Sequence, residues 1–502
     1  MSQSNSESPS LDRRNLLKGA SAVGAAGLAF SALSSADAHG RRRGRRWDFS
    51  PDYGPVSPKE DLVTGLKLLA LPEGFEYMSF GWTGQVMDDG RPTPTDHDGM
   101  AVCAKFGHHI ALVRNHELST GESTPCQVPG GVYNPNEYGG TTNLVFDLRR
   151  GRFVRHYTSL GGTIRNCAGG RTPWNSWLSC EETFHSWNDR ADGFNHGYIF
   201  DVPAFGTSNG QPIKAAGRFS HEAVAVDPWT GVVYETEDAG TSAFYKYVQP
   251  GAHDASCGWG RGYGHGHGRG HFGWGGWGGW RQRGPLRDGG ELFAMVIEGE
   301  PRKDLRLGYQ PGDTFKVSWQ KVEDPEGKEG RAFDSAPDAA IIARGEGCWE
   351  DGGKIYFVST SGGAAGLGQV WVYDPRQETV SLVYESADRE DVDGPDNIAI
   401  SPRGGIVLCE DGGSNPKRLI GLTTEGDIFP FAENIIDLKD GDIDKIDAFF
   451  PGAKANFWDN PVGNYSSREW CGATFHDDWL FANVQSPGVT FAIRGPWRKG
   501  AL

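Results

Sequence analysis

Residues 165–182 read RNCAGGRTPWNSWLSCEE, and this unit contains the pattern from which the architecture can be inferred. A polar cluster, Arg165-Asn166-Cys167, opens the unit, and a turn signal at residues 172–174 divides it. The apolar pair at 177–178 then leads into the closing cluster Cys180-Glu181-Glu182. This order predicts a strand, a tight turn and a second strand, which form a β-hairpin with two polar ends at the same edge.

The same pattern occurs six times along the chain. Each copy has a polar opening cluster, a turn signal and a short apolar segment that ends in carboxylate, amide or hydroxyl side chains. The spacing is nearly constant, since Cys167 and Glu181 are 14 residues apart and Glu222 and Glu237 are 15 apart. The six apolar segments are residues 110–113, 177–178, 232–234, 355–358, 406–408 and 479–481.

Six hairpins at uneven intervals predict an all-β fold, a six-bladed β-propeller with long insertions between the blades. In a propeller the inner hairpins surround a central channel, and their polar ends face one mouth of it. The alternative is six ordinary hairpins in a β-sandwich, which gives no reason for polar residues at every hairpin end. The composition of 73 Gly and 17 Trp also favours short strands, Gly-rich turns and an aromatic core over a helical bundle.

Charge and the N-terminus bear on partners and location. The net charge of −16 argues against nucleic acid as a binding partner, because neutralising phosphates needs Lys and Arg.

The N-terminus has the order of a signal peptide. Arg13-Arg14 precedes an apolar, Ala/Gly-rich stretch and Ala36-Asp37-Ala38, an order that resembles a twin-arginine signal peptide. We therefore expect the Tat translocase as an export partner, a periplasmic or extracellular location, no membrane span after cleavage, and a monomer. The alternative is a membrane-anchored or disordered N-terminus.

The predicted domain organisation is a signal peptide at 1–38, a linker at 39–60 and one propeller domain at 61–502. A low-complexity Gly/His/Trp insert at about 251–283 is expected to be a disordered loop, whose His265, His267 and His271 bind metal only adventitiously. The eight cysteines are too few for a disulfide framework, so Cys180, Cys348, Cys409 and Cys471 are expected to be buried or disulfide-linked.

One channel mouth that collects the hairpin ends holds many acidic groups. Buried carboxylates at this density repel one another and become protonated unless cations neutralise them. Oxygen ligands suit Ca²⁺, and a thiolate such as Cys167 adds a softer ligand that suits iron. For any single carboxylate the alternative is a turn cap or a surface charge. The expected mouth residues are Glu117, Cys167, Glu182, Glu222, Glu237, Asp238, Glu346, Asp396, Glu410, Asp411 and Glu469.

Arg344 lies two residues before Glu346. A guanidinium beside a metal-bound carboxylate can hold a phosphoryl oxygen, although a structural ion pair is the alternative. The sequence contains no P-loop, no Gly-x-Ser-x-Gly elbow and no His-Glu-x-x-His motif. A nucleotide-binding, serine-hydrolase or zincin interpretation therefore has no support.

These motifs resemble the PhoX family of secreted alkaline phosphatases. The resemblance rests on residues 166–170, 172–174 and 180–182, on 219–222 with 234–238, and on 483–488, and it extends from about Trp47 to Trp497. Arg344-Gly345-Glu346-Gly347 and Ser486-Pro487-Gly488 depart from the Arg-Pro-Glu-Trp and His-Pro-Gly of the phosphatase branch. The chain therefore resembles a sister branch of the same family.

The resemblance implies a six-bladed propeller with a calcium- and iron-dependent site for phosphate monoesters. It implies that Cys167 and Glu222 bind Fe³⁺, that Arg344 binds phosphate, and that Ca²⁺ and further metal ligation involve Glu117, Glu237, Glu346, Asp396 and Glu469. Asp238 and Glu410 complete the expected metal-ligand set, and Arg344 and Cys167 are the expected catalytic residues. The predicted function is a metal-dependent phosphatase. The alternatives are a non-catalytic calcium-binding propeller and a lactonase-like hydrolase, for both of which a thiolate would be superfluous.

Overall fold

The computed structural model describes residues 52–184, 192–252, 284–457 and 460–502. Within these ranges the chain consists mainly of antiparallel strands, with two short α-helices and three 3-10 turns. No helix of this part of the chain has both the length and the apolar character needed to cross a bilayer. The predicted signal peptide, and residues 253–283 of the predicted insert, lie outside the described residues.

The strands of the first part of the chain occur in hairpins and meanders. Their tight turns use residues that tolerate a left-handed backbone, such as Gly107 at φ +62° and Asn175 at φ +64°. The strands are β1 (Ser57–Glu60), β2 (Lys67–Leu71), β3 (Glu76–Phe80), β4 (His97–Phe106), β5 (His109–His116), β6 (Gly139–Asp147), β7 (Arg152–Thr163), β8 (Asn166–Arg171), β9 (Ser176–Glu181), β10 (Ile199–Pro203), β11 (His221–Val226), β12 (Val233–Glu237), β13 (Phe244–Val248), β14 (Glu291–Ile297) and β15 (Thr314–Lys321).

The second part of the chain continues the same organisation and contains both α-helices. Its elements are β16 (Gly345–Asp351), β17 (Lys354–Ser359), β18 (Gln369–Asp374), β19 (Thr379–Glu385), β20 (Pro395–Ile400), β21 (Ile406–Glu410), β22 (Arg418–Leu422), β23 (Ile428–Asn434), β24 (Asp437–Leu438), α1 (Asp440–Phe449), α2 (Ala453–Asn456), β25 (Gly463–Asn464), β26 (Trp470–His476), β27 (Trp479–Val484) and β28 (Val489–Arg494). The 3-10 turns are Lys214–Ala216, Ala332–Ser335 and Trp497–Lys499.

The strands form antiparallel sheets that follow one another along the chain. β4–β7 form a four-stranded sheet and β8–β10 a three-stranded one. β11–β15 and β16–β19 join through the pairing of β15 with β19. β20–β23 are extended by β2 and β1, while β26–β28 take β3 as their outer strand. Residues 57–60, which we predicted to be the end of the linker, therefore belong to a sheet.

The first strands of six hairpins contact one another in a closed ring. β4 contacts β8, β8 contacts β11, β11 contacts β16, β16 contacts β20, β20 contacts β26, and β26 contacts β4 again. All six hairpins predicted from the sequence are present as antiparallel pairs. The blade count of six stays a prediction, which this ring of inner strands supports.

The core lies between the sheets and is rich in aromatic side chains. Trp82, Trp371, Trp470 and Trp497 are fully buried, which agrees with the expectation of an aromatic core. Large rings bury much apolar surface and their mutual packing favours edge-on and offset contacts. All seven cysteines in the described ranges are buried and free, Cys180, Cys348, Cys409 and Cys471 among them.

Candidate metal centre

The six inner hairpins share a β-bulge at the same place. In each hairpin the register shifts just after the first strand begins, so that two residues of this strand are unpaired. A bulge re-aims side chains and is frequent beside functional sites. The first unpaired residue of each hairpin occupies an equivalent position, and we call these six positions the bulge ring. Its members are Asp98, Cys167, Glu222, Glu346, Asp396 and Gly472.

A second set of residues closes five of these hairpins. In each of the five, the residue that directly follows the second strand of the hairpin donates its backbone N–H to a carbonyl at 2.8 to 3.0 Å. That carbonyl belongs to the residue two positions before the bulge-ring residue of the same hairpin. We call the donors closing residues and the acceptors rim residues. The closing residues are Glu117, Glu182, Asp238, Thr360 and Asp411, and their rim partners are Asp96, Arg165, Ser220, Arg344 and Gly394.

Bulge-ring and closing residues together form a continuous arc of ligand atoms. Four overlapping groups each bring their ligand atoms within 4.8 Å of one another. Glu469, three residues before Gly472, completes the last group. We call the whole set the acidic arc. The groups are Asp98–Glu117–Cys167, Cys167–Glu182–Glu222, Glu222–Glu346–Asp396 and Asp396–Asp411–Glu469.

Burial and mutual repulsion dominate the electrostatics of the arc. Burial raises the pKa of Asp98, Glu222 and Glu346 well above the ordinary values, and neighbouring carboxylates raise it further. The same two causes raise the pKa of Glu117 to about 8 and that of Asp396 to about 7. Without cations these groups therefore hold protons near neutral pH, and cations would release them.

The donor set suits metal ions. The Cys167 Sγ lies 3.2 Å from Glu222 Oε1 and 3.5 Å from Asp98 Oδ2, so the thiol is surrounded by carboxylates. Glu222 Oε2 is buried and has no hydrogen-bond partner among the described residues. A buried carboxylate oxygen without a partner is costly unless a cation takes that place. Several carboxylates with one thiol match hard cations beside a softer transition metal.

Comparison with known proteins decides the family. The sequence model of the family described as "Alkaline phosphatase PhoX" matches residues 51–156 and 145–488. The chain belongs to the alkaline phosphatase PhoX family. The resemblance noted in the sequence is thus confirmed, and membership supports the predicted phosphatase class of hydrolase. No curated protein sequence matches the chain.

A solved structure shares the fold of this PhoX-family chain. The structure titled Pseudomonas fluorescens PhoX in complex with vanadate, a transition state analogue, shares 15% identity at a TM-score of 0.56. The similarity covers 90% of this chain and 99% of that one, and it confirms the predicted β-propeller fold. A gluconolactonase from Xanthomonas campestris has 10% identity and a TM-score of 0.39, over 88% of this chain and 98% of that one.

Arg344 is a rim residue and lies beside the acidic arc of this PhoX-family chain. Its Nε and Nη2 donate to the two carboxylate oxygens of Asp238 at 2.8 and 3.0 Å, and Nη2 lies 2.7 Å from Glu346 Oε1. The Arg344 side chain keeps 45% of its surface exposed. The guanidinium is thus held by two carboxylates, while part of it stays open to solvent. Asp238 belongs to none of the four groups of the arc and acts here as the partner of Arg344.

Glu237 and Glu410, both expected as ligands, lie outside the four groups. Glu237 accepts from Arg331 Nη2 at 2.6 Å and from Tyr245 Oη at 2.7 Å. Glu410 accepts from Arg418 at 2.7 Å and from the backbone N–H of Asp393 at 2.9 Å. The reason is strand alternation: each precedes a closing residue, so its side chain points away from that of its neighbour.

Asp98 is the site residue that sequence reasoning missed. Asp98 lies in a polar cluster, residues 96–98, at the start of the first hairpin, but it is not among the expected mouth residues. Asp98 comes two residues before the first paired residue after the bulge, Met100, just as Cys167 comes two before Gly169. An alignment of the six hairpins on that residue would have found it.

A separate group lies near the turn end of the β4–β5 hairpin. His108 Nε2 and His109 Nε2 are each 3.8 Å from Asp147 Oδ2, and the three side chains meet the spacing of a metal site. Arg150 Nε also lies 3.6 Å from the same oxygen. The group is not part of the metal centre described above, because the acidic arc lies at the opposite end of this hairpin.

Proposed function

We propose that this chain is a metal-dependent phosphatase that hydrolyses phosphate monoesters at the acidic arc. Membership of the PhoX family supports the phosphatase class. The observation that carries the finer proposal is the arc itself, in which five hairpins contribute ligand atoms around Cys167 and the unpartnered oxygen of Glu222. The proposed cofactors are Ca²⁺ and Fe³⁺, and the proposed substrate is a small phosphate monoester.

The proposed ligand assignment follows the groups in the arc. Cys167 and Glu222 would hold iron, because a thiolate is the softest ligand present. The outer carboxylates would hold calcium, which accepts six to eight oxygen ligands. When bound, these metals supply positive charge that polarises the phosphoryl oxygens and lowers the pKa of a nucleophilic water. The proposed oxygen ligands are Asp98, Glu117, Glu182, Glu346, Asp396, Asp411 and Glu469.

The chain's own residues would position the substrate. Arg344 would hold one phosphoryl oxygen with its exposed N–H groups, while Asp238 keeps the guanidinium in place through two hydrogen bonds. Because the guanidinium is already oriented, little reorganisation accompanies the build-up of charge in the transition state. The burial of Asp98, Glu222 and Glu346 limits access of water to the unused oxygens of these three carboxylates.

Elemental analysis and one chromogenic assay test this proposal. Protein exported with its own N-terminus should contain iron and calcium and hydrolyse p-nitrophenyl phosphate. Arg344→Ala should keep both metals and lower kcat/KM about 10- to 10³-fold, the range for losing one charged transition-state contact. Arg494→Ala is the matched control, because Arg494 is 51% exposed and paired with Glu76 on another part of the surface.

Two other results would contradict the proposal in distinct ways. Protein with full metal content and no phosphatase activity would indicate the non-catalytic propeller. Protein that binds calcium but never iron would indicate the lactonase-like hydrolase, for which Cys167 has no use.

We also propose Tat export to the periplasm or the medium as a monomer. The twin-arginine motif Arg13-Arg14 supports this location. Replacing both arginines by lysine should retain the protein in the cytoplasm. Unchanged amounts of processed protein outside the cytoplasm would contradict the assignment.

A further inference from the structure

Two arginines occupy the same rim position on alternate hairpins. Arg165 lies two residues before Cys167, and Arg344 lies two residues before Glu346. Both have left-handed backbones, at φ +49° and +50°, and both accept a hydrogen bond at their carbonyl from the closing residue of their own hairpin. The fold therefore places Arg165 and Arg344 as structural equivalents around the mouth.

The contacts of the two guanidinium groups repeat as well. Arg165 Nη2 lies 2.6 Å from Glu117 Oε1, and its Nε donates to the carbonyl of Glu182 at 3.0 Å. Glu117 is the closing residue of the preceding hairpin, as Asp238 is for Arg344. Each arginine is thus tied to the hairpin before its own and also to a carboxylate of its own hairpin, which is Glu182 for Arg165 and Glu346 for Arg344. Equivalent position and equivalent tethering indicate an equivalent task.

Both arginines keep N–H groups available. Their side chains are 42% and 45% exposed, and among the described residues the Nη1 of each has no hydrogen-bond partner. The rim residue of the hairpin between them is Ser220, whose side chain is short and leaves space above it. The carboxylates of Glu117 and Glu182 are mostly buried, so these two partners hold the Arg165 guanidinium in place while the rest of its side chain stays exposed.

We propose that Arg165 is a second anion-binding arginine, which together with Arg344 holds the phosphoryl group of the substrate across the rim at Ser220. The inference rests on the proposed phosphatase function and deepens it. A phosphate monoester is a dianion with several acceptor oxygens, and two guanidinium groups at the same mouth can each bind one or two of them. Arg165 then contributes to affinity for the phosphoryl group rather than to metal binding.

The test compares Arg165→Ala, Arg165→Lys and the control Arg494→Ala in metal-loaded protein. Binding of inorganic phosphate is measured by calorimetry, which needs no turnover, and KM and kcat are measured with p-nitrophenyl phosphate. We expect Arg165→Ala to weaken phosphate binding and raise KM about tenfold or more, with iron and calcium unchanged. Arg165→Lys should recover part of the affinity, because it restores the charge but not the planar fork.

The outcomes separate this inference from the proposed function. Wild-type affinity for phosphate in Arg165→Ala at full metal content would overturn the inference while leaving the phosphatase intact. If Arg165→Ala loses metal, Arg165→Lys decides: full metal with weakened phosphate binding supports the inference, and any other result overturns it. A wild-type protein that binds phosphate but does not hydrolyse the ester would contradict the proposed function alone.

Discussion

Five of the six inner hairpins carry an acidic or thiol side chain at the bulge ring, and the sixth carries Gly472. The register shifts by the same amount in all six, but among these six residues only Gly472 has a left-handed backbone, at φ +61°. The surroundings differ as well. A Cβ at Gly472 would lie 2.7 Å from the N of Met100 and 2.8 Å from the O of Asp98.

The sixth hairpin uses its bulge for packing instead of ligation. The Gly472 N–H donates to Asn397 Oδ1 at 2.8 Å, and Asn483 Nδ2 donates to the Asp98 carbonyl at 2.6 Å. The Cys471 thiol donates to the carbonyl of His97 at 2.9 Å. The same register shift therefore serves two tasks, and the two cases differ in both the backbone conformation and the residue at a single position. Substitutions at equivalent positions test whether the two tasks are separate.

The largest effect is expected from the two cysteines near the ring. Cys167→Ser should lose iron and its colour, because an alcohol is a far poorer ligand than a thiolate. Phosphatase activity should fall about 10³-fold or more, since bound metal supplies several kcal/mol of charge stabilisation. Cys471→Ser should keep metal and activity, because a hydroxyl can still donate to His97. Iron retained in Cys167→Ser, or lost in Cys471→Ser, would break the contrast.

Removal of metals should reveal the repulsion within the five ligating hairpins. Several cations, each at a thousand times its Kd, contribute about 4 kcal/mol apiece, so chelation should lower the Tm by about 10 °C. In the metal-free protein the pKa of Glu117 is about 8 and that of Asp396 about 7, both above their unfolded values. The folded state then binds more protons, so its stability should fall as pH rises from about 4 to 8.

Thermal unfolding at pH 5 and pH 8, with and without a chelator, measures this effect. The chelated protein should be less stable at pH 8, and added calcium should remove most of the difference. Equal Tm values for the chelated protein at both pH values would show that the arc carries no buried, uncompensated carboxylates.

A smaller effect is expected at the sixth hairpin. Gly472→Ala should lower the free energy of unfolding by about 2–4 kcal/mol, from left-handed strain and close contact with backbone atoms. Gly107→Ala is the matched control, because its φ of +62° equals that of Gly472 within a degree, yet a Cβ there meets nothing within 4 Å. It should cost only about 1–2 kcal/mol. Equal losses in denaturant titrations would mean that packing at Gly472 is unimportant.

The hairpins and the polar mouth were predictable because apolar segments between turn signals have a strong local pattern. The individual metal ligands were harder to predict from the sequence. Asp98 was missed because a bulge changes which neighbour faces the channel without altering the hydrophobic pattern. Glu410 was expected as a ligand, but strand alternation points its side chain away from that of Asp411. Arg165 was recognised only as part of an opening cluster, since its equivalence to Arg344 depends on hydrogen bonds between the two strands of each hairpin.

The outer strand β3 pairs with β28 along its whole length, from Glu76 opposite Arg494 to Phe80 opposite Thr490. β3, one of the earliest strands to leave the ribosome, thus pairs with β28, the last strand of the described residues. At about 5–20 residues per second, the interval between the synthesis of the two strands lasts tens of seconds. During synthesis β3 exposes an unpaired edge, which is a template for unwanted association. The nascent chain therefore has a period of vulnerability that ends only when its final strand is released.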